Sequence, residues 1–404
     1  MDDSQQSLLT LLSHALFGKA FPAGNLDVTS ILEEARFHAV LPIVYYSLGD
    51  RAGTSAELDE NQELLYAVLS NNFQVEHDHE ILHEWMTEAG IPYVILKGCA
   101  SAAYYPVPIY RTMGDVDFLV PESSLEDAGK ALEKKGLSPW KEKHISHIVF
   151  RKGRMHLEMH FQLAGMPEGL PGKLIREYFQ DVFSCAELHT TGNGQMLVPS
   201  AFHHGLVLLL HTCHHLTGEG IGLRHLCDWA VFENSFSEEE FRELFESRLR
   251  QVGLWRFAQI LTQMSIRYLG AEPRKWAELE ESDELLEALM QDILSSGNFG
   301  TKDRNRSQQA YLISSRGKNG VGKTNSLTQF VCSMNNVVYT RWKFARKWKI
   351  VLPVGWCIFG GRHLFRILTG KRKTVHFKEL VSGADARRNL YSQLKVYECG
   401  DLNT

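Results

Sequence analysis

Between Ile91 and Phe161 short apolar and alternating runs interrupt the helical spacing seen on either side, and this interruption limits the fold more than any other feature. Gly90-Ile91-Pro92 breaks the preceding pattern, and Tyr93-Val94-Ile95-Leu96 is an apolar run too short for a helix. It enters Lys97-Gly98 and a small-residue helix from Cys99 to Tyr104, after which Pro106 and Pro108 force a loop. Val116 to Val120 is a second strand stopped by Pro121, and Glu122 to Lys135 is an amphipathic helix ending at Gly136. Ile145 to Arg151 and Met155 to Phe161 read as strands paired about a Lys152-Gly153 turn. The flanks read as helices: Leu8, Leu9, Leu11, Leu12, Leu16 and Phe17, then Leu64, Leu65, Val68, Leu69 and Phe73, precede the unit. Ala201–Leu216, Leu223–Phe232, Glu238–Val252 and Leu254–Leu269 follow it. The expected class is α+β, a short mixed sheet flanked by helices. Four regions result: a helical segment 1–85, a core 86–200, a helical domain 201–295 and a basic region 296–404.

The 404 residues are 44% hydrophobic and 23% charged, which excludes a disordered or disulfide-stapled chain. The net charge of -5 conceals a split: 20 Lys and Arg stand against 5 Asp and Glu from Ser296 onward, and 23 against 43 before it. Seven cysteines occur singly with no C-x-x-C, which fits a reducing cytoplasm better than a zinc ribbon. The acidic, polar start (MDDSQQSLLTLL) does not read as a signal peptide. The longest apolar stretch, Ile350 to Phe359, is well short of the roughly 20 residues of a membrane span. A cytoplasmic protein, with peripheral contact to the inner membrane surface as an option, is expected.

Alternation puts Asp115 and Asp117 on one face of the second strand and Val116 and Phe118 on the other. Two carboxylates side by side repel unless a cation joins them, and a hard divalent cation shared with phosphates suits them. Taken alone, such a pair is more often a solvated strand edge. Met155-His156-Leu157-Glu158-Met159-His160 changes the balance, because His156, Glu158 and His160 share one face of a strand that is otherwise apolar. A charge there has to be paired, metal-bound or at a cleft.

A strand entering Lys97-Gly98, then Gly114-Asp115-Val116-Asp117-Phe118-Leu119-Val120, then a later strand acid, resembles the nucleotidyltransferase superfamily with its DNA polymerase β-like fold. Leu96-Lys97-Gly98, Tyr105-Pro106 and Arg111-x-Met-Gly-Asp-x-Asp resemble one branch, a bacterial family of uncharacterised nucleotidyltransferases. His144-x-x-His147, His-Leu-Glu-x-His, Leu223 to Ala230 and Leu352-Pro353 before a basic helix also fit its pattern. The resemblance implies Mg²⁺-dependent (or Mn²⁺-dependent) transfer of a nucleoside monophosphate from an NTP, ATP by default, to a hydroxyl or phosphate of an acceptor, with release of pyrophosphate. It implies that Asp115, Asp117 and Glu158 hold metal, with Glu158 helping to deprotonate the acceptor. Gly98 would open a helix whose amides hold the triphosphate. Lys97 and Arg111 would clamp phosphate, with Gly114, His147 and His160 also on the nucleotide. The chain departs from the superfamily in carrying Cys99 after Gly98 and a long Gly98–Asp115 gap. The acceptor is expected to be a sugar, small metabolite or peptide rather than nucleic acid. The rival readings are a non-catalytic nucleotide- or membrane-binding protein of the same fold, or a P-loop NTPase.

Gly317 to Thr324 satisfies the P-loop pattern G-x-x-x-x-G-K-[ST] after Tyr311–Ser314, a candidate strand. Only 80 residues follow, too few for the rest of such a fold, and a glycine-rich basic loop is the better reading. Eleven of 18 histidines lie between His144 and His225. His211, His214 and His215 lack the partners of a zinc motif, and are expected to line the junction between core and helical domain. Arg224 and Asp228, four apart, form either an intrahelical ion pair or a contact from the helical domain to base or acceptor. Residues 341–373 hold 10 basic residues and no acid, interleaved with Trp342, Phe344, Trp348, Trp356, Phe359 and Phe365. This segment either packs on the acidic body or contacts an anionic membrane or single-stranded nucleic acid.

Overall fold

The computed structural model describes residues 1–49, 56–140, 146–192, 194–279, 283–303, 306, 309, 334–335, 338–339, 341–368 and 377–398. Five strands, β1 (Val94–Ile95), β2 (Val116–Leu119), β3 (Ser138–Pro139), β4 (His147–Lys152) and β5 (Met155–His160), form one sheet in the order β1-β2-β5-β4-β3. Only β2 and β5 run parallel; the other neighbours are antiparallel. The expected hairpin of β4 and β5 forms about Gly153, whose φ of 58° is the left-handed conformation the turn needs. His144 and Ile145 lie outside the described residues.

Helices α1 (Asp3–Phe17), α2 (Val28–Phe37), α3 (Leu41–Leu48) and α4 (Ala56–Glu88) precede the sheet, and α5 (Cys99–Ala102) and α6 (Leu125–Lys134) connect its strands. The α1 start is fixed by a capping box, with Asp2 accepting from the Gln5 N–H at 2.8 Å and the Gln5 side chain from the Asp2 N–H at 3.2 Å. One sheet face is covered by α4 and α6: Val75, Leu82, Met86, Ala128 and Leu132 meet Val116, Phe118, Leu157 and Met159, all buried. The alternation of β2 and β5 therefore leaves their polar residues on the opposite face.

Beyond the sheet come α7 (Gly169–Tyr178) and a small hairpin, β6 (Glu187–Thr190) and β7 (Gln195–Val198). The helical body follows: α8 (Ala201–Thr217), α9 (Leu223–Asn234), α10 (Glu238–Phe241), α11 (Ser247–Gln251), α12 (Trp255–Met264) and α13 (Asp283–Ser296). Leu8, Leu11 and Leu12 of α1 share one core with Leu226, Trp229, Phe257, Leu261, Leu289 and Ile293, so the N-terminal helices belong to this body. Helix α8 joins body and sheet: Leu206 and Leu209 face the body, while Val207 packs with Val94, Leu96 and Leu119. Burying side chains of this size stabilises by about 1.5–3 kcal/mol each.

In the basic region, α14 (Leu352–Leu368) has its own small core of Val338, Ala345 and Leu352, with Trp342, Trp356 and Phe359 against it. Tyr391 and Leu394, at the end of α15 (Phe377–Ser392) and just beyond it, enter the helical body. Part of the basic region answers acids of the body: Lys302 Nζ lies 2.7 Å from Glu34, and Arg306 pairs with Asp292, which also accepts from Tyr391 Oη at 2.8 Å. Tyr311–Ser314 and the P-loop-like Gly317–Thr324 lie outside the described residues.

Candidate active site

The register of β2 on β5 pairs Asp117 with Glu158 and Val116 with Leu157. On the polar face, Asp115, just before β2, and Asp117 within it thus stand beside His156, Glu158 and His160 of β5, with His147 of β4 opposite His160. Asp117 is buried, and its Oδ2 accepts from Lys97 Nζ at 2.9 Å while its Oδ1 accepts from His160 Nε2 at 2.8 Å. Glu158 Oε2 is 3.7 Å from both His147 Nε2 and His160 Nε2, and Asp115 Oδ2 is 3.6 Å from His156 Nδ1. Two overlapping donor sets result, Asp115–His156–Glu158 and His147–Glu158–His160, each with its donor atoms within 4.8 Å of one another.

The charges on this face are unevenly balanced. Burial alone would raise the pKa of Asp117, but the Lys97 ammonium and the His160 N–H outweigh it and hold the carboxyl well below the usual range. At Asp115 the pull of Lys97 is outweighed: burial first, then the charges of Asp117 and Glu158, push it up to about 6. Glu158 is held down by the His160 hydrogen bond. Asp115 and Glu158 behave as one pair, and the extra proton sits on Asp115. His160 is raised despite burial, because it bonds both Asp117 and Glu158. Asp115, Asp117 and Glu158 supply hard oxygens on one surface with more negative charge than Lys97 and His160 neutralise, which is donor chemistry fit for a divalent cation.

The loops entering this face are held from three sides. Gly98 precedes α5 with φ 59°, and a Cβ there would lie 2.8 Å from the buried His79 ring, so glycine is required. The Asn72 side-chain amide donates to the carbonyls of Ile109 (2.7 Å) and Arg111 (3.0 Å), its oxygen accepts the Met113 N–H (2.9 Å), and Asn71 donates to the Met113 carbonyl (2.9 Å). Arg111 is buried, with Nε and Nη2 each 2.7 Å from an Asp228 oxygen, and Nη1 donates to the Gly98 carbonyl at 3.3 Å. Tyr105 Oη donates to Asp228 at 2.7 Å. Burial would lower Arg111 and raise Asp228, yet each stabilises the charge of the other, so the pair stays ionised. This bidentate pair fastens the loop before Asp115 to α9.

The structure thus brings together Lys97, Asp115, Asp117, His147, Glu158 and His160, with Gly98 and Gly114 at the loops that lead in. Arg111, expected to clamp phosphate, is found beneath the loop with its fork on Asp228. The intrahelical reading of Arg224 and Asp228 is corrected: Asp228 is taken by Arg111, and Arg224 Nη1 donates to the Thr112 carbonyl at 3.0 Å. Phe73, grouped with the apolar stripe of its helix, is exposed; the buried side of α4 runs through Asn72, Val75, His79, Leu82 and Met86. Sequence reasoning does not find the positioning residues Asn71, Asn72 and His79; for Asn72 and His79 the signal is a polar interruption of that buried side. Cys99, after Gly98, is buried and its thiol is pushed up to about 12 by burial, so it is not a reactive thiolate. Among the described residues His211, His214 and His215 are in neither donor set. His204 stacks on Tyr104 (5.4 Å), and Lys97 acts electrostatically on His211.

No curated protein matches the chain. The model of a protein family described as "Uncharacterised nucleotidyltransferase" matches residues 24–270, which takes in α2 to α12, the sheet and every residue of the carboxylate face.

Proposed function

The chain belongs to the uncharacterised nucleotidyltransferase family, and from that premise we propose that the carboxylate face of its sheet transfers a nucleoside monophosphate from an NTP to an acceptor. The proposed core is polymerase β-like. One observation carries the reading: Asp117 and Glu158 are register partners on parallel strands, with Asp115 beside them pushed up to about 6 by burial and by their charges. A solvated strand edge would not bury Asp117 or drive the Asp115 carboxyl up to about 6.

Asp115, Asp117 and Glu158 would hold Mg²⁺. When bound there, the ion supplies charge neutralisation for the phosphates and acidifies an acceptor hydroxyl. The chain's own groups do the rest. Lys97, partly exposed and already on Asp117, faces the same charge and attracts the phosphates of the nucleotide. Glu158, kept ionised by His160, takes the proton of the acceptor hydroxyl. The acceptor oxygen forms a bond to the α-phosphorus as the bond to the bridging oxygen breaks, and pyrophosphate leaves with that electron pair. Arg111, Asp228, Asn72 and His79 touch no reacting atom in this scheme; they fix the loops so that the carboxylates need little reorganisation.

A thermal-shift titration tests the reading. ATP with Mg²⁺ should raise the melting temperature, and ATP with EDTA should not. Asp117→Asn should abolish the Mg²⁺-dependent part while remaining folded. Equal stabilisation of wild type and variant would remove the proposal.

A further inference from the structure

Beside the carboxylate face lies a second polar group that the scheme above leaves unused. His211 and His215 stand one turn apart on α8 with ring centroids 4.4 Å apart, and His225 at the start of α9 stacks on His211 at 5.4 Å. Phe299 lies 4.7 Å from His215 and 5.5 Å from His225, and the Arg224 guanidinium sits 5.8 Å from the Phe299 ring centre. His225 is only 3% exposed, yet neither of its ring nitrogens has a hydrogen-bond partner among the described residues, and the buried Nε of Arg224 has none either. Arg224 forms no ion pair among the described residues; its one hydrogen bond there goes to the Thr112 carbonyl, three residues before Asp115.

Phe299 adds strain. It is a bulky residue at φ 55° and ψ 36°, and it is 42% exposed. That conformation is disfavoured by about 1–3 kcal/mol and persists where surroundings or function impose it. The group also borders the carboxylates: Lys97, 2.9 Å from Asp117, acts electrostatically on His211 and His225, and Asp115 acts on Arg224. Burial, helped by these neighbouring cations, keeps His211 and His225 neutral. The unsatisfied atoms are an arginine N–H and imidazole nitrogens; the acid bonded to the group, Glu219, has its Oε2 3.2 Å from His215 Nδ1 and leaves Arg224 and His225 unpaired among the described residues. A metal ion suits this group poorly, since a guanidinium stands in it and its imidazoles belong to neither convergent donor set. An oxyanion with several acceptor atoms satisfies it.

We propose that Arg224 and His225, with His211 and His215 beside them and Phe299 at the rim, form a phosphate-binding subsite contributed by the helical body. Its place in the reaction rests on the nucleotidyltransferase reading: the occupant is a phosphate either of the nucleotide's triphosphate tail or of a phosphorylated acceptor.

Calorimetric titration of the full-length protein with two probes separates these sources. The first probe is α,β-methylene-ATP with Mg²⁺, and the second is inorganic phosphate added to protein saturated with that analogue. If the subsite holds the triphosphate tail, Arg224→Gln weakens the analogue at least about tenfold, as loss of a charged hydrogen bond does, and phosphate fails to bind the saturated protein. If it holds an acceptor phosphate, the analogue binds Arg224→Gln as it binds wild type, and phosphate binds the saturated wild type but not the variant. Arg224→Lys should restore part of either loss. Unchanged affinity for both probes in Arg224→Gln and in His225→Asn overturns the subsite, and His225→Asn stands alone if Arg224→Gln does not fold. Asp115→Asn distinguishes the two proposals. Analogue binding lost only in Asp115→Asn leaves the nucleotidyltransferase reading and removes the subsite. Phosphate binding through Arg224 with no Mg²⁺-dependent nucleotide binding does the reverse.

A separate observation carries a second inference. Helix α14 turns Leu352, Trp356 and Phe359 onto its small core, but Val354 and Ile358 point outward, and so do Phe344, Trp348 and Ile350 just before it, at 43–84% exposure. No ion pair joins Arg341, Lys347, Lys349 or Arg362 to an acid among the described residues. Apolar side chains in a segment with 10 basic residues and no acid (341–373) complement an anionic bilayer surface. Among the described residues no helix is long and apolar enough to cross a membrane. We infer that residues 341–368 lie on an anionic lipid surface. In co-sedimentation at about 0.1 M salt, the protein should pellet with vesicles containing phosphatidylglycerol and not with phosphatidylcholine alone. Trp348→Ser/Ile350→Ser/Ile358→Ser should abolish pelleting. No pelleting of wild type, or pelleting that survives the triple change, overturns the inference.

Discussion

Asp115→Asn should make the metal-free protein more stable while disabling it. Asp115 rises from 3.8 to about 6 because burial and the charges of Asp117 and Glu158 oppose its ionisation. A shift of roughly two units corresponds to about 3 kcal/mol. The side chain is a third exposed, so solvent screening reduces the penalty to about 1–2 kcal/mol. The sign follows from linkage. The folded-state pKa lies above the unfolded value, so the penalty is absent while Asp115 is protonated in both states. It grows as pH rises through about 4 to 6 and is complete above that. Asparagine is neutral throughout and keeps a donor for Glu158. In EDTA at pH 8 the variant should melt a few degrees higher, on the order of 2–4 °C, and the gain should vanish near pH 4. Millimolar Mg²⁺ should stabilise wild type at pH 8 and leave the variant unmoved. A variant less stable than wild type in EDTA at pH 8, or a gain independent of pH, refutes this account of the carboxylate face.

Gly98→Ala should destabilise by about 1–3 kcal/mol in urea denaturation, because its Cβ meets the His79 ring at 2.8 Å and φ is 59°. Adding His79→Ala should recover the steric part, and additive losses would exclude this contact as the cause. Arg111→Met leaves Asp228 charged and buried, and should reduce stability by about 3–5 kcal/mol; Arg111→Met/Asp228→Leu should lose clearly less. Divalent-cation affinity, followed by Mn²⁺ spin resonance, should rise as pH passes upward through about 6, where Asp115 loses its proton; a flat profile from pH 5 to 8 would exclude Asp115 as a ligand.

The sheet and the carboxylates were legible because both follow from alternation. Asp115-Val-Asp117 and His156-Leu-Glu158-Met-His160 each place acids on one side and core residues on the other, whatever the partner strand. Sequence could not supply the parallel register that sets Asp117 beside Glu158, since it depends on how α6, β3 and β4 carry the chain between them. The supports were hidden for a related reason. Asn72 and His79 sit where a helical stripe calls for apolar residues, and only the packed structure reveals the loop carbonyls and the glycine they meet. Asp228 has a cation four residues before it on its own helix, and local spacing favours that pair. The fold gives it Arg111 instead, 117 residues away, in bidentate geometry that an intrahelical pair does not match.

The central claim is that this face moves a nucleotidyl group. Purified protein should be incubated with cell lysate and Mg²⁺, using ATP labelled in one arm at the α-phosphate and in the other at the γ-phosphate, with GTP, CTP and UTP in parallel. The account predicts that the α-label enters an acceptor, that the γ-label appears only in pyrophosphate, and that Asp117→Asn abolishes both. Transfer of the γ-label to an acceptor, or α-label transfer that survives Asp117→Asn, would contradict it.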